Sequence, residues 1–264
     1  MATDQQEQAP ATAPARPAAD RPIPSVWARP RRPRREQPVL SREQIVSAAL
    51  DLLDADGLEA LSMRKLGARL NAGATSMYTH VSTKDELIEL VVDEVYGEIE
   101  VPAADGSADW REAAARCAHG LRTTILRHPW LAPALGGLGL TQLGPNAMRL
   151  SEGLLALFEA AGLPVDEADL AVSALSAYVI GVSISEAAWL TTVARSGRTE
   201  REWFRDLWPA AEEATDERPQ LRAQYASLPD RDPRETRDEK FAYGLQRVLD
   251  GLATRITDGP AAGA

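Results

Sequence analysis

The stretch SMRKLGARLNAGATSMYTHV, residues 62–81, decides the fold. Ser62 suits a helix N-cap, and Met63, Leu66 and Leu70 then repeat at helical spacing along one side. Arg64, Lys65 and Arg69 lie off that stripe. NAGA, 71–74, reads as a tight glycine-containing turn, and a very short helix follows it. In that helix Met77 and Val81 stand four residues apart and can anchor it to a small core. Thr75, Ser76, Tyr78, Thr79 and His80 must then face elsewhere, and hydroxyls and an imidazole suit phosphates and base edges. Two helices joined by a tight turn make a helix-turn-helix layout, in which the second helix enters the major groove and the first crosses the backbone. Helical hairpins also serve as plain packing units, with Tyr78 covering core and His80 on the surface.

Working outward, LSREQIVSAALDLLDADG, 40–57, carries a capping box at Ser41 and Gln44. Ile45, Ala48, Ala49, Leu52 and Leu53 share one helical face, and Gly57 supplies the stop. On the other side, STKDELIELVVDEVYGEIE, 82–100, starts a longer helix with Ser82 or Thr83 as cap and acids in its first turn. Further helices are expected at about 109–127, 145–161, 166–194, 200–214 and 235–257. Breaks are expected at HPWLAP (128–133), GGLGLTQLGP (136–145), AGLPVD (161–166) and the polar segment 215–233. No apolar run reads as a membrane span.

The chain has 264 residues, 44% apolar but only 5% aromatic, with Ala and Leu recurring and β-branched runs scarce. An all-α protein follows. Net charge is −10, which argues against coating nucleic acid with the whole surface. The charge is uneven, however: residues 21–84 hold 11 Lys/Arg against 6 Asp/Glu, and residues 85–264 hold 17 against 30. One polyanion-binding face on a repelling body fits that split. Residues 1–38 are rich in Pro, Ala and Gln and end in ARPRRPRREQP, 28–38. They read as a disordered arm, either a solubilising tail or an arginine-rich extension entering the minor groove. The lone Cys117 excludes an internal disulfide and fits a reducing compartment, and the N-terminus lacks a signal-peptide core. A cytoplasmic protein is expected.

The run from Ser41 to Glu89 closely resembles the N-terminal domain of TetR-family transcriptional regulators. The resemblance lies in the Ala-Leu-rich first helix, SMRKLGARL, SMYTHV and STKDEL, and the Tyr-x-His-Val-x-x-Lys pattern over 78–84 is close to that of the tetracycline repressors. HPWLAPAL and LSAYVIGVSISEAAW look like the tetracycline-repressor type of C-terminal regulatory domain. The resemblance implies an all-α chain: a disordered arm over 1–38, a three-helix helix-turn-helix DNA-binding domain over 39–85, a helical ligand-binding and dimerisation domain over 86–258, and a tail over 259–264. It implies a homodimer on a palindromic double-stranded DNA operator, most simply a repressor released by a small-molecule effector. Ser62 and Arg64 match second-helix positions that approach DNA. Thr75, Ser76, Tyr78, Thr79 and His80 match the recognition face, and Lys84 matches a phosphate-contacting lysine. Ala74 and Thr79 stand where tetracycline repressors carry larger residues, so the operator sequence does not transfer.

Effector-pocket candidates are the mid-helix bulky or polar-tipped residues His119, Trp130, Met148, Tyr178 and Trp189, for each of which core packing is the plainer reading. Helices 166–194 and 235–257 are the expected dimer helices. Segment 195–233, with Trp203, Phe204 and Trp208, could lid the pocket or pack on the partner. No enzyme, metal or cofactor is expected: Cys117 and His119 point to different helix faces, and GLGLTQLG, 137–144, lacks the strand and spacing of a phosphate loop. The competing reading is a helical small-molecule-binding or interaction protein without specific DNA binding.

Overall fold

The computed structural model describes residues 40–101, 109–138, 143–226 and 231–256, excepting the side chains at 74, 75 and 136–138. The arginine-rich arm and the C-terminal tail lie outside the described residues. Among the described residues the regular structure is helical, with no strand.

The first helix, α1, runs Arg42–Asp56. Its capping box is formed: Ser41 Oγ accepts the Gln44 N–H at 3.1 Å, and Gln44 Oε1 accepts the Ser41 N–H at 2.9 Å. Gly57 ends it at φ +79°, a conformation that disfavours a side chain. A 3-10 turn, Leu58–Ala60, leads to α2, Met63–Arg69, where Ser62 Oγ accepts the Lys65 N–H at 3.1 Å. The short α3, Ala74–His80, follows, and then α4, Lys84–Tyr96, capped by Thr83 through the Glu86 N–H at 3.0 Å. Ile45, Ala49, Leu66, Met77, Val81, Leu87 and Val91 are fully buried and make one small core from these four helices.

The turn between α2 and α3 works differently from its sequence reading. Its left-handed residue is Asn71 at φ +49°, whereas Gly73 is extended at φ −67° and precedes α3 as its N-cap. Asn tolerates that conformation because its short polar side chain bonds locally. The glycine the turn needs is Gly67, inside α2. A Cβ there would lie 2.9 Å from the Ala72 carbonyl oxygen, and the Ala72 N–H folds back onto the Gly67 carbonyl at 2.9 Å.

The larger C-terminal body comprises α5 (Trp110–Arg127), α6 (Leu131–Leu138), α7 (Pro145–Ala160), α8 (Val165–Arg195), α9 (Glu200–Thr215), α10 (Pro219–Tyr225) and α11 (Pro233–Ala253). Helices α5, α7 and α11 pack along α8, around Ile125, Leu131, Phe158, Ala168, Leu175, Val179, Phe241 and Leu249. Two expectations are corrected. HPWLAP is not wholly a break, since α6 begins at Leu131, and the polar segment 215–233 contains α10. In both, proline sits in the first helical turn, where its missing N–H has no intrahelical partner to lose.

A third correction concerns α8. Its 31 residues are long and apolar enough to cross a membrane by length and composition, against the sequence reading. In the fold one side of it is core, and it carries the buried charge of Glu186. Its opposite side leaves Leu170, Ala174, Ala177, Gly181, Ser185 and Ala188 exposed in the single chain.

Candidate nucleic-acid interface and its attachment to the core

The fold sorts the side chains of α3 onto two faces. Met77 and Val81 are completely buried, and the Met77 Cγ lies 3.8 Å from where a Gly67 Cβ would stand, so α3 is pinned against α2. Ser76 and Thr79 are exposed, Tyr78 is 52% exposed, and His80 is half-buried at the helix end. The Thr79 hydroxyl donates to the Ser76 carbonyl at 2.6 Å, which engages its proton and leaves the oxygen as an acceptor. Ser62 is exposed at the start of α2 and Lys84 is half-buried at the start of α4. The Lys84 Nζ reaches back to the Leu58 carbonyl at 3.4 Å. Ser62 and Thr83 cap the N-termini of α2 and α4, the helices on either side of α3 in the chain. Thr75 lies on α3, and its side chain is outside the description.

The cations of this domain are not equivalent. Lys65 pairs with Asp56 at 2.6 Å, Arg69 with Asp51 at 3.2 Å and Arg42 with Glu86 at 3.4 Å. Arg64 is exposed and makes no ion pair or hydrogen bond among the described residues. It is the guanidinium in α2 free to meet a phosphate without first leaving a carboxylate.

Two polar clusters, missed in the sequence because their members are far apart, attach this domain to the rest. Asp93, on α4, accepts the backbone N–H groups of Asn146 and Ala147 at 3.0 Å each, and the Asn146 side-chain amide at 3.2 Å. It thus caps the N-terminus of α7, whose own N-cap, Gly144, offers no side chain. Burial pushes the Asp93 carboxyl above its usual range, opposed by those backbone bonds. The second cluster joins α1 to the corner between α5 and α6. Asp54 Oδ1 lies 2.6 Å from His128 Nδ1 and accepts the Trp130 indole N–H at 2.7 Å. His128 Nε2 faces Glu98, just beyond α4, at 3.2 Å.

The five pocket candidates are dispersed. Trp130 is buried at the junction with α1, its indole N–H engaged by Asp54. Met148 is half-exposed on α7. His119 and Tyr178 both meet Phe241, with ring centroids at 5.1 and 5.8 Å, and the Tyr178 hydroxyl donates to the Phe241 carbonyl at 2.7 Å. Burial and the nearby Arg122 hold the His119 imidazole below its ordinary value. Trp189 stands against Trp203 and Phe204, at 6.0 and 5.4 Å, and donates to Glu200 at 3.0 Å. Between these aromatic groups runs a charge network. Arg122 forks onto Glu186 with two bonds of 2.8 Å and reaches Asp238 at 2.7 Å, and Arg237 joins Glu186 at 2.9 Å and Glu200. Cys117 is buried, its thiol pushed up to about 11 by desolvation, which keeps it unreactive.

A short helix after a tight turn, pinned by two buried anchors with hydroxyl-bearing and aromatic side chains facing out, defines a helix-turn-helix DNA-binding regulator. Comparison with known proteins specifies the family. Residues 45–91 match the model for bacterial regulatory proteins of the tetR family, and residues 101–256 match that for the tetracyclin repressor-like C-terminal domain. An HTH-type transcriptional regulator of Saccharopolyspora erythraea is 44% identical over 165 residues, covering 62% of this chain and 69% of that protein. The HTH-type transcriptional repressor DrrR1 of Streptomyces coeruleorubidus is 35% identical over 234 residues, 88% of this chain and 84% of that one. The structure of the Streptomyces coelicolor TetR family protein ActR in complex with actinorhodin aligns with a TM-score of 0.67 at 31% identity, over 81% of this chain and 97% of that chain. The chain belongs to the TetR family of transcriptional regulators. It is a ligand-responsive DNA-binding repressor that works as a dimer, and its relatives are regulators rather than enzymes.

Proposed function

We propose that Ser62, Arg64, Thr75, Ser76, Tyr78, Thr79, His80 and Lys84 make the operator contacts. Arg64, Tyr78, His80 and Lys84 hold the phosphate backbone, and Ser76 and Thr79 meet base edges. The observation that carries this reading is the division of α3: Met77 and Val81 are fully buried while Ser76, Tyr78 and Thr79 stand exposed on the same two turns. Protomers pair through the exposed side of α8 and through α11, an isologous four-helix contact that closes the dimer. The effector is a small organic molecule held among the C-terminal helices; a relative of 31% identity forms a complex with actinorhodin. His119 and Tyr178, which meet Phe241 beneath Arg122, and Trp189, which donates to Glu200, are the groups best placed to meet it. It releases DNA by binding more tightly to the arrangement that does not fit the operator. The protein acts in the cytoplasm, by binding and without catalysis.

Fluorescence anisotropy with DNA selected from a random pool tests the operator face. Tyr78→Ala should weaken every bound sequence by a similar factor, whereas Thr79→Ala should alter the bases selected. Unchanged affinity in Tyr78→Ala would place the wrong face of α3 on DNA.

A further inference from the structure

Asp54 stands in the last turn of α1, and α1 packs on α2 and α4, so its carboxylate moves with the helix-turn-helix domain. Its two partners belong to the other body. His128 ends α5 and Trp130 precedes α6, both buried, with their rings edge-on at 6.1 Å. A single oxygen, Oδ1, lies within 2.7 Å of a nitrogen from each. The other nitrogen of His128 faces Glu98, which Arg127 also pairs at 2.7 Å. Three chain segments (the end of α1, the exit of α4 and the corner from α5 to α6) are thus fastened at one point. Short bonds from two buried rings to one oxygen fix direction as well as distance.

The structure assigns Asp54, with His128 and Trp130, a positioning role in operator recognition: they fix the angle at which each helix-turn-helix domain sits on its core, and so set the half-site spacing the dimer accepts. In a symmetric dimer the two recognition helices are placed by their cores, which carry the dimer contact. They match half-sites about one helical turn apart, roughly 34–36 Å. One inserted base pair moves a half-site by about 3.4 Å and turns it by about a tenth of a helical turn. A fastened domain cannot follow that displacement, while a loosened one can. Asp54 touches neither base nor phosphate in this role and acts through the pose of α3.

The inference rests on the operator-binding reading above, and its test separates the two. DNA is first selected from a random pool by the unaltered chain, and the chosen operator is then made with one base pair inserted between its half-sites. Anisotropy titrations compare the two DNAs for the unaltered chain, Trp130→Phe, which keeps a ring but loses the N–H, and Asp54→Asn. Asp51→Asn is the control, because its ion pair to Arg69 lies wholly within the DNA-binding domain. The unaltered chain should bind the inserted operator at least about tenfold more weakly than the original. In Trp130→Phe and Asp54→Asn that ratio should shrink about threefold or more, while Asp51→Asn keeps it. Because one preparation supplies both titrations, the ratio is insensitive to a loss of folded protein. A wild-type ratio in both variants overturns the positioning role alone. Failure of the unaltered chain to select any DNA overturns the operator-binding reading first.

Discussion

Removing the Arg64 side chain gives the sharpest test of how this surface meets DNA. Arg64 is exposed and unpaired among the described residues, so its charge is available to displace a counterion from a phosphate. A dimer presents two copies, and each neutralised phosphate contributes about 0.9 to the slope of log affinity against log salt, so Arg64→Ala should flatten that slope by about 1.8. Between 50 and 200 mM salt the unaltered protein should then lose about twelvefold more affinity than the variant does. Lys65 is the internal comparison, one residue away but held by Asp56 at 2.6 Å. Lys65→Ala should change the slope by less than half as much, since its ammonium is already neutralised within the fold. The assay is a salt series of anisotropy titrations on one operator. Both sites are exposed, so stability should stay within about 0.5 kcal/mol and the comparison is not confounded by unfolding. A wild-type slope in Arg64→Ala, or a larger effect in Lys65→Ala, would refute the reasoning.

Gly67→Ala tests the turn. Helix propensity alone favours alanine by about 1 kcal/mol, so a net loss of about 1 kcal/mol or more in urea unfolding isolates the clash with the Ala72 carbonyl. A stabilised variant would contradict the close approach of α2 and the turn. For Asp93, burial raises the carboxyl in the folded state, so the folded protein keeps a proton that the unfolded chain has already released. The stability this group contributes is therefore present below the ordinary carboxylate range and lost as pH rises through the raised value. Relative to Asp93→Asn, the unaltered protein should gain stability as pH falls from about 7 toward 4. Paired thermal melts check the sign, and a difference that stays flat or runs the other way would remove burial as the dominant influence.

Local pattern carried the DNA-binding half well. The capping box at Ser41, the stop at Gly57, the Ser62 cap and the buried pair Met77 and Val81 each depend on residues within a few positions, and each formed as expected. Two expected breaks, HPWLAP and the polar segment 215–233, hold the starts of helices: Pro133 and Pro219 lie in the first turns of α6 and α10, where a helix tolerates them. Asn71 and Gly67 exchanged roles with Gly73 because sequence shows which residues can turn, but not which position must be crossed at close range. The attachment of the two bodies was invisible for another reason. Asp54 and His128 are 74 positions apart, and an isolated Asp near a helix end or His before a proline carries no periodic signal. Trp130 drew notice as a bulky residue in apolar context, and only the fold shows its N–H engaged across the junction. His119 and Tyr178 stand out in the sequence as mid-helix polar-tipped residues, and they converge on Phe241 because α5, α8 and α11 pack together.

The central claim is that α3 reads DNA in a symmetric pair. Selection of bound sequences from a random duplex pool by the full chain, at physiological salt, tests it most directly. The account predicts an enriched inverted repeat whose half-sites lie about one helical turn apart. It also predicts that the enrichment is lost when Ser76 and Thr79 are both replaced by alanine. Recovery of no preferred sequence, or of an unpaired site indifferent to those two residues, would contradict it.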